Sequence, residues 1–208
     1  MKKSYEKQYI EHINKGLVSS ICTSNNIKIS LEELFQEIIT FLQNKVKNKG
    51  RIYFFGNGAS ASFSNHMALD WSKNGGILSF SLSDSSMLTA LANDYSYEEA
   101  FLEFLKINNP TSNDLVITTS SSGNSPNIVS VLNYCLKNKI TTVGLSGLKD
   151  NNKSVELSKY SIFVPMKTYG MVECIHQIFH HLLLDKYMDI NEWEKLESQN
   201  MNSKSFKL

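Results

Sequence analysis

Four serines crowd the segment Thr119-Ser120-Ser121-Ser122-Gly123-Asn124-Ser125-Pro126-Asn127. Hydroxyls and backbone amides gathered at a helix start can wrap a phosphate without lysine or arginine, because the free N–H groups and the helix dipole both favour an anion. Pro126 suits the first helical turn, where its missing N–H costs nothing. The same residues also read as a cluster of helix caps. A second loop of this kind is Gly56-Asn57-Gly58-Ala59-Ser60, where glycine permits a sharp turn and close ligand approach. A tight strand–helix turn is the plainer reading there. As a dinucleotide fingerprint the loop is weak. Ala61 stands at the third glycine position, and Ser79, Ser81 and Ser83 occupy the place of the acidic residue. No GK[ST] triplet follows either, so no nucleotide cofactor is expected. Two such loops are more specific than one: one can hold a phosphate and the other a sugar's hydroxyls.

Groups suited to proton transfer and metal binding lie beyond these loops. His66 and Asp70 are four apart, which puts both on one helix face. Three of the five histidines fall in Glu173-Cys174-Ile175-His176-Gln177-Ile178-Phe179-His180-His181. Glu173 and His181 would lie about 12 Å apart on one ideal helix, so they share a metal only at full stretch. By spacing alone, Glu173, His176 and His180 make the tighter stripe. His66 and Asp70 with Glu173 and either His180 or His181 would suit a divalent metal, since imidazoles favour zinc and carboxylates favour hard cations, and spacing leaves the choice of histidine open. Packed or solvated histidines are the plainer alternative for at least one of these. Asn93-Asp94 reads equally as a ligand contact or as a turn before Tyr95.

These groups need a scaffold. The 208 residues, 41% hydrophobic and 20% charged, fit one sizeable soluble domain. A net charge of +1 gives no electrostatic reason to bind nucleic acid or an acidic membrane. Three scattered cysteines, Cys22, Cys135 and Cys174, form no CxxC pair and fit a reducing cytosol. No signal-type apolar segment and no run of roughly 20 apolar residues occurs. A cytoplasmic protein is expected.

Residues 1–50 read as two helices. Tyr5, Tyr9, Ile10, Ile13, Leu17, Val18 and Ile21 form one apolar stripe. Ser30 and Glu33 make a capping box ahead of a second stripe through Leu34, Phe35, Ile38, Leu42 and Val46. The pair covers either the domain itself or the same helices of another subunit. From Arg51, strands expected at 51–55, 77–82, 114–119, 141–145 and 161–164 alternate with helices at about 60–73, 85–92, 97–107, 125–138, 151–158 and 170–188. That alternation predicts an α/β fold: a three-layer αβα, doubly wound, with a five-stranded parallel sheet over residues 51–190. A polar tail follows over 191–208. Ligands in such sheets sit beyond the carboxyl ends of the strands, where both loops fall.

The loop pair, with Asn65-His66-Met67-Ala68-Leu69-Asp70, Asn93-Asp94-Tyr95 and the Glu173–His181 helix, resembles the sugar isomerase (SIS) domain family and, within it, the phosphoheptose isomerases. The resemblance spans roughly residues 1–189. It implies aldose–ketose isomerisation of sedoheptulose 7-phosphate for surface polysaccharide synthesis, in a cytoplasmic homotetramer with active sites at subunit interfaces. It implies Asp70 as proton-transfer base, His181 as the acid opposite, and zinc held by His66, Asp70, Glu173 and His181. It implies substrate contacts from Asn57, Gly58, Ala59, Ser60, Asn93, Asp94, Ser120, Ser121, Ser122, Ser125 and Glu173. The chain departs from the family pattern at Ala59, at Asp70 (where the family carries glutamate) and at Glu173 (where it carries glutamine). Those departures leave open an SIS isomerase for another sugar phosphate, or a sugar-phosphate-binding protein without catalysis.

Overall fold

A computed structural model describes residues 3–47 and 50–193. Of the tail expected over 191–208, residues 194–208 lie outside the described residues. The chain opens with α1 (Tyr5–Val18), then β1 (Ile21–Ser24) and β2 (Ile27–Ile29). Helix α2 (Leu31–Phe41) follows and runs on into one π-type turn, Leu42–Val46. The remainder alternates: β3 (Ile52–Gly56), α3 (Ala59–Lys73), β4 (Ser79–Ser81), α4 (Ser85–Asp94), α5 (Ala100–Ile107), β5 (Leu115–Ser120), α6 (Pro126–Lys137), β6 (Thr141–Gly147), α7 (Lys153–Leu157), β7 (Tyr160–Val164) and α8 (Tyr169–Met188).

The sheet runs β2-β1-β7-β6-β5-β3-β4. Strands β3 to β7 are parallel to one another, the five expected, and β1 pairs antiparallel with both β7 and β2. The sheet therefore has seven strands, and the first fifty residues hold a hairpin between their two helices. Ile21 belongs to that hairpin rather than to the α1 stripe. Helix α1 stops at Val18, and the hairpin turns on Asn25 and Asn26, both at positive φ (50° and 63°). Asparagine tolerates that conformation, and a two-residue turn with both residues there matches the twist of the paired strands. The Ser30–Glu33 capping box forms as expected.

Strand β3 shows why three layers result. It is buried throughout. Ile52 and Phe54 join a core with Leu34, Ile38, Trp71, Ile175 and Phe179, under α2, α3 and α8. Tyr53 and Phe55 join a second core with Phe101, Leu105, Ile128 and Leu132, under α5 and α6. A strand apolar on both faces needs helices on both. No helix among the described residues is long and apolar enough to cross a membrane.

Candidate active site

The loops after β3 and β5 meet at a cavity of about 100 Å³ lined by Asn57, Ser60, Ser120, Ser121, Ser122, Ser125 and Glu173, with Thr119 and Tyr169. No lysine or arginine among the described residues lines it. The serine loop is shaped by backbone. Gly123 holds φ at +66°, and any Cβ there would run into the Asn152 side chain, so only glycine fits. Its carbonyl accepts from Ser154 N (2.9 Å), and Ser121 O accepts from Gly147 N (3.0 Å). Lys153 N donates to Asn124 Oδ1 (2.9 Å). The segment after β6 thus clamps the loop. Ser120 and Ser125 share a hydroxyl–hydroxyl bond (3.1 Å), while Ser121 Oγ is buried without a partner. A buried hydroxyl in that state is available to a ligand.

Two residues without a role in the sequence reading tie the loops together. The Asn57 and Asn127 amides exchange reciprocal hydrogen bonds (2.9 Å each), and Tyr97 Oη donates to Asn57 Oδ1 (2.8 Å). Asn127 follows the serine loop directly, which was the one available signal. Nothing local marks Tyr97. Gly58 and Ala59 are exposed and outside this cavity, as are Asn93 and Asp94, which bond to each other at the end of α4 (3.0 Å).

A second cavity, about 400 Å³, is lined by His66, Asp70, Lys73, Asn74, His181, Asp185 and Glu192. One turn of α3 sets His66 Nε2 3.1 Å from Asp70 Oδ2. The packed helix α8 brings His181 over them, its ring 5.3 Å from that of His66. One potential ligand atom from each of His66, Asp70 and His181 lies within 4.8 Å of the others. Asp70 is only 6% exposed. Its Oδ2 approaches His66 without an aligned hydrogen bond, and Asn74 Nδ2 reaches Oδ1 only at 3.5 Å. A buried carboxylate oxygen left over beside two imidazoles fits a divalent metal with an open position, of the zinc type.

Glu173 is not part of this cluster. Eight residues along a helix is about 12 Å and about 80° of rotation from His181, so the side chain reaches the serine cavity instead. The stripe Glu173–His176–His180 does not assemble either. His176 and His180 face the sheet, where both are buried. His176 Nε2 donates to Ser146 O (3.1 Å), and burial pushes its pKa down to about 4. His180 Nε2 bonds Thr119 Oγ1 (2.9 Å), and burial, followed by its histidine neighbours, pushes it to about 3. Both stay neutral at ordinary pH. One residue on, His181 turns to the cavity, so the two adjacent histidines divide between core and site.

Residues 23–147 match the SIS domain family. The chain belongs to the SIS domain family. That match takes in both loops and the His66–Asp70 helix and ends before α8. Relatives within the family reach further. A phosphoheptose isomerase of Aneurinibacillus thermoaerophilus is 33% identical over 183 residues, 82% of this chain and 91% of that protein. One from Helicobacter pylori (strain P12) is 33% identical over 162 residues, 75% of this chain and 83% of that protein. Among solved SIS structures, a phosphoheptose isomerase of Neisseria gonorrhoeae superposes with a TM-score of 0.74 at 21% identity, over 88% of this chain and 95% of that one.

Proposed function

We propose that this SIS chain is an aldose–ketose isomerase of a heptose phosphate, interconverting sedoheptulose 7-phosphate and D-glycero-D-manno-heptose 7-phosphate for surface polysaccharide synthesis. The observation that carries the reading is the convergence of Asp70, His66 and His181 in one cavity, in a chain whose relatives are phosphoheptose isomerases. Asp70 takes the proton from C1 of the ketose. The C–H electron pair becomes the double bond of an enediol, and the carbonyl oxygen receives a proton from His181. Asp70 then returns its proton to C2 as His181 recovers one from the C1 hydroxyl, so the product is an isomer of the substrate. His66, Asp70 and His181 would hold a zinc ion, which when bound supplies Lewis-acid polarisation of the carbonyl oxygen. The serine loop anchors the phosphate, with Asn57 and Ser60 beside it. The chain works in the cytoplasm, a reading supported by its three free cysteines.

The phosphate anchor and the proton-transfer cluster belong to different cavities with no lining residue in common. In this reading the complete site forms between copies, with the serine loop of one chain facing the cluster of another in a homotetramer, and the separation of the two cavities supports it. Helix α1 leaves Tyr5, Ile10 and Val18 largely exposed, which suits a contact between copies through residues 1–50. NMR of sedoheptulose 7-phosphate with the protein tests the reaction: aldose 7-phosphate signals should grow in, and binding without conversion would overturn it. Mixing Asp70→Asn and Ser122→Ala proteins tests the shared site at substrate concentrations far below the raised KM of Ser122→Ala. Low-KM turnover shown by neither protein alone is expected in the mixed oligomer, and its absence would place both halves in one chain.

A further inference from the structure

Gln177 Nε2 lies 2.7 Å from His181 Nε2. An amide nitrogen has no lone pair to offer, so it must donate and the ring nitrogen must accept. With the amide in this orientation, the contact fits the ring tautomer that leaves Nε2 bare and carries its proton on Nδ1. The two residues are four apart on α8, so the contact is built into the helix. The other end of the same amide, Gln177 Oε1, is buried and has no hydrogen-bond partner. Buried acceptors are seldom left in that state. Turned over, the amide would present Oε1 to His181 Nε2 as an acceptor for a proton there.

We propose that Gln177 is a positioning residue for His181, holding Nε2 so that Nδ1 is the nitrogen free for the chemistry beside Asp70, and able by inverting its amide to stabilise the opposite tautomer. Histidines at metal and proton-transfer sites owe their tautomer to the partner of the second nitrogen. A carbonyl or carboxylate fixes one tautomer there. An amide serves both, which suits a ring whose Nδ1 carries a proton in the metal-free protein and must lose it to bind a metal. The proposal rests on the isomerase reading for its purpose, but its test reads the ring directly.

The test is a two-dimensional proton–nitrogen spectrum of the full chain labelled with 15N-histidine, in which the two ring nitrogens of each tautomer differ in shift. His181 is assigned by the signals lost in His181→Asn. In the metal-free protein at neutral pH, the wild type should carry the proton on Nδ1. Gln177→Leu should lose that preference, and Gln177→Glu, which can only accept, should move the proton to Nε2. The core histidine His176 reports folding, because its Nε2 proton on Ser146 O stays put in any folded variant. Should the leucine variant fail to fold, the glutamate variant decides. Turnover adds a second readout: Gln177→Leu should lower kcat about 10- to 100-fold with KM within about twofold. A wild-type proton on Nε2, or a His181 pattern unchanged in both folded variants, would overturn the assignment. If the chain proved not to isomerise sugar phosphates while the tautomer still followed Gln177, the isomerase reading alone would fail.

Discussion

The serine loop is shaped by backbone and the His66–Asp70–His181 cluster by side chains, and each is vulnerable in a different way. In the loop, Gly123, the carbonyls of Ser121 and Gly123, and the clamp from residues 147–154 set the cavity before any hydroxyl is counted. In the cluster, two helices merely present three side chains, and the chemistry lies in what those chains are. A single hydroxyl removed from the loop leaves other donors in place. A single group removed from the cluster leaves none of its kind in that position.

That contrast orders the expected effects. Asp70→Asn keeps the shape and removes the proposed base, so kcat should fall by roughly 10²- to 10⁴-fold with the sugar phosphate still bound. Steady-state kinetics with a binding titration measures both, and a parallel loss of binding would erase the division between the two regions. Ser122→Ala or Ser125→Ala should do the reverse: one hydrogen bond to a charged phosphate is worth about 1.5–3 kcal/mol, so KM should rise roughly 10- to 100-fold with kcat nearly unchanged. An unaltered KM in both variants would remove the phosphate from the serine loop.

A subtler comparison lies within α8, where His176 belongs to the core and His181 to the site. The folded pKa of His176 is depressed by burial to about 4 from an ordinary 6.5. Between those values the unfolded chain binds a proton that the folded chain does not. The stability this histidine allows is therefore complete above about pH 6.5 and declines as pH falls towards 4. From pH 7 to 5 the loss is about 2 kcal/mol. His176→Gln keeps a donor for Ser146 O and does not titrate, so its denaturant midpoint should fall less over that range. The same pH sensitivity in both proteins would mean that His176 is already protonated in the fold.

The sheet after Arg51 was legible because its strands are short apolar runs punctuated by glycine, serine and proline, the pattern that buried parallel strands must show. The β1–β2 hairpin was not. The α1 stripe runs on in phase to Ile21, and the strands are too short to show their own alternation. In the site, the pairing of His66 with Asp70 follows from helix spacing and was visible. Glu173 joined the serines only through the family resemblance, since its partners come from a distant loop and its spacing pairs it with His176 and His180. The choice between His180 and His181 depends on how α8 is rotated against the sheet, which Thr119 and Phe54 settle by contact with His180. Tyr97 reaches Asn57 across forty residues of chain, and no local pattern announces it.

The central claim is that Asp70 moves a carbon-bound proton of a sugar phosphate. Deuterium incorporation measures that step alone. With the wild-type protein and sedoheptulose 7-phosphate in D₂O, NMR should show exchange at the carbons that share the enediol. The Asp70→Asn protein should still bind the sugar phosphate and show no exchange above background. Exchange at an unchanged rate in Asp70→Asn would contradict the account.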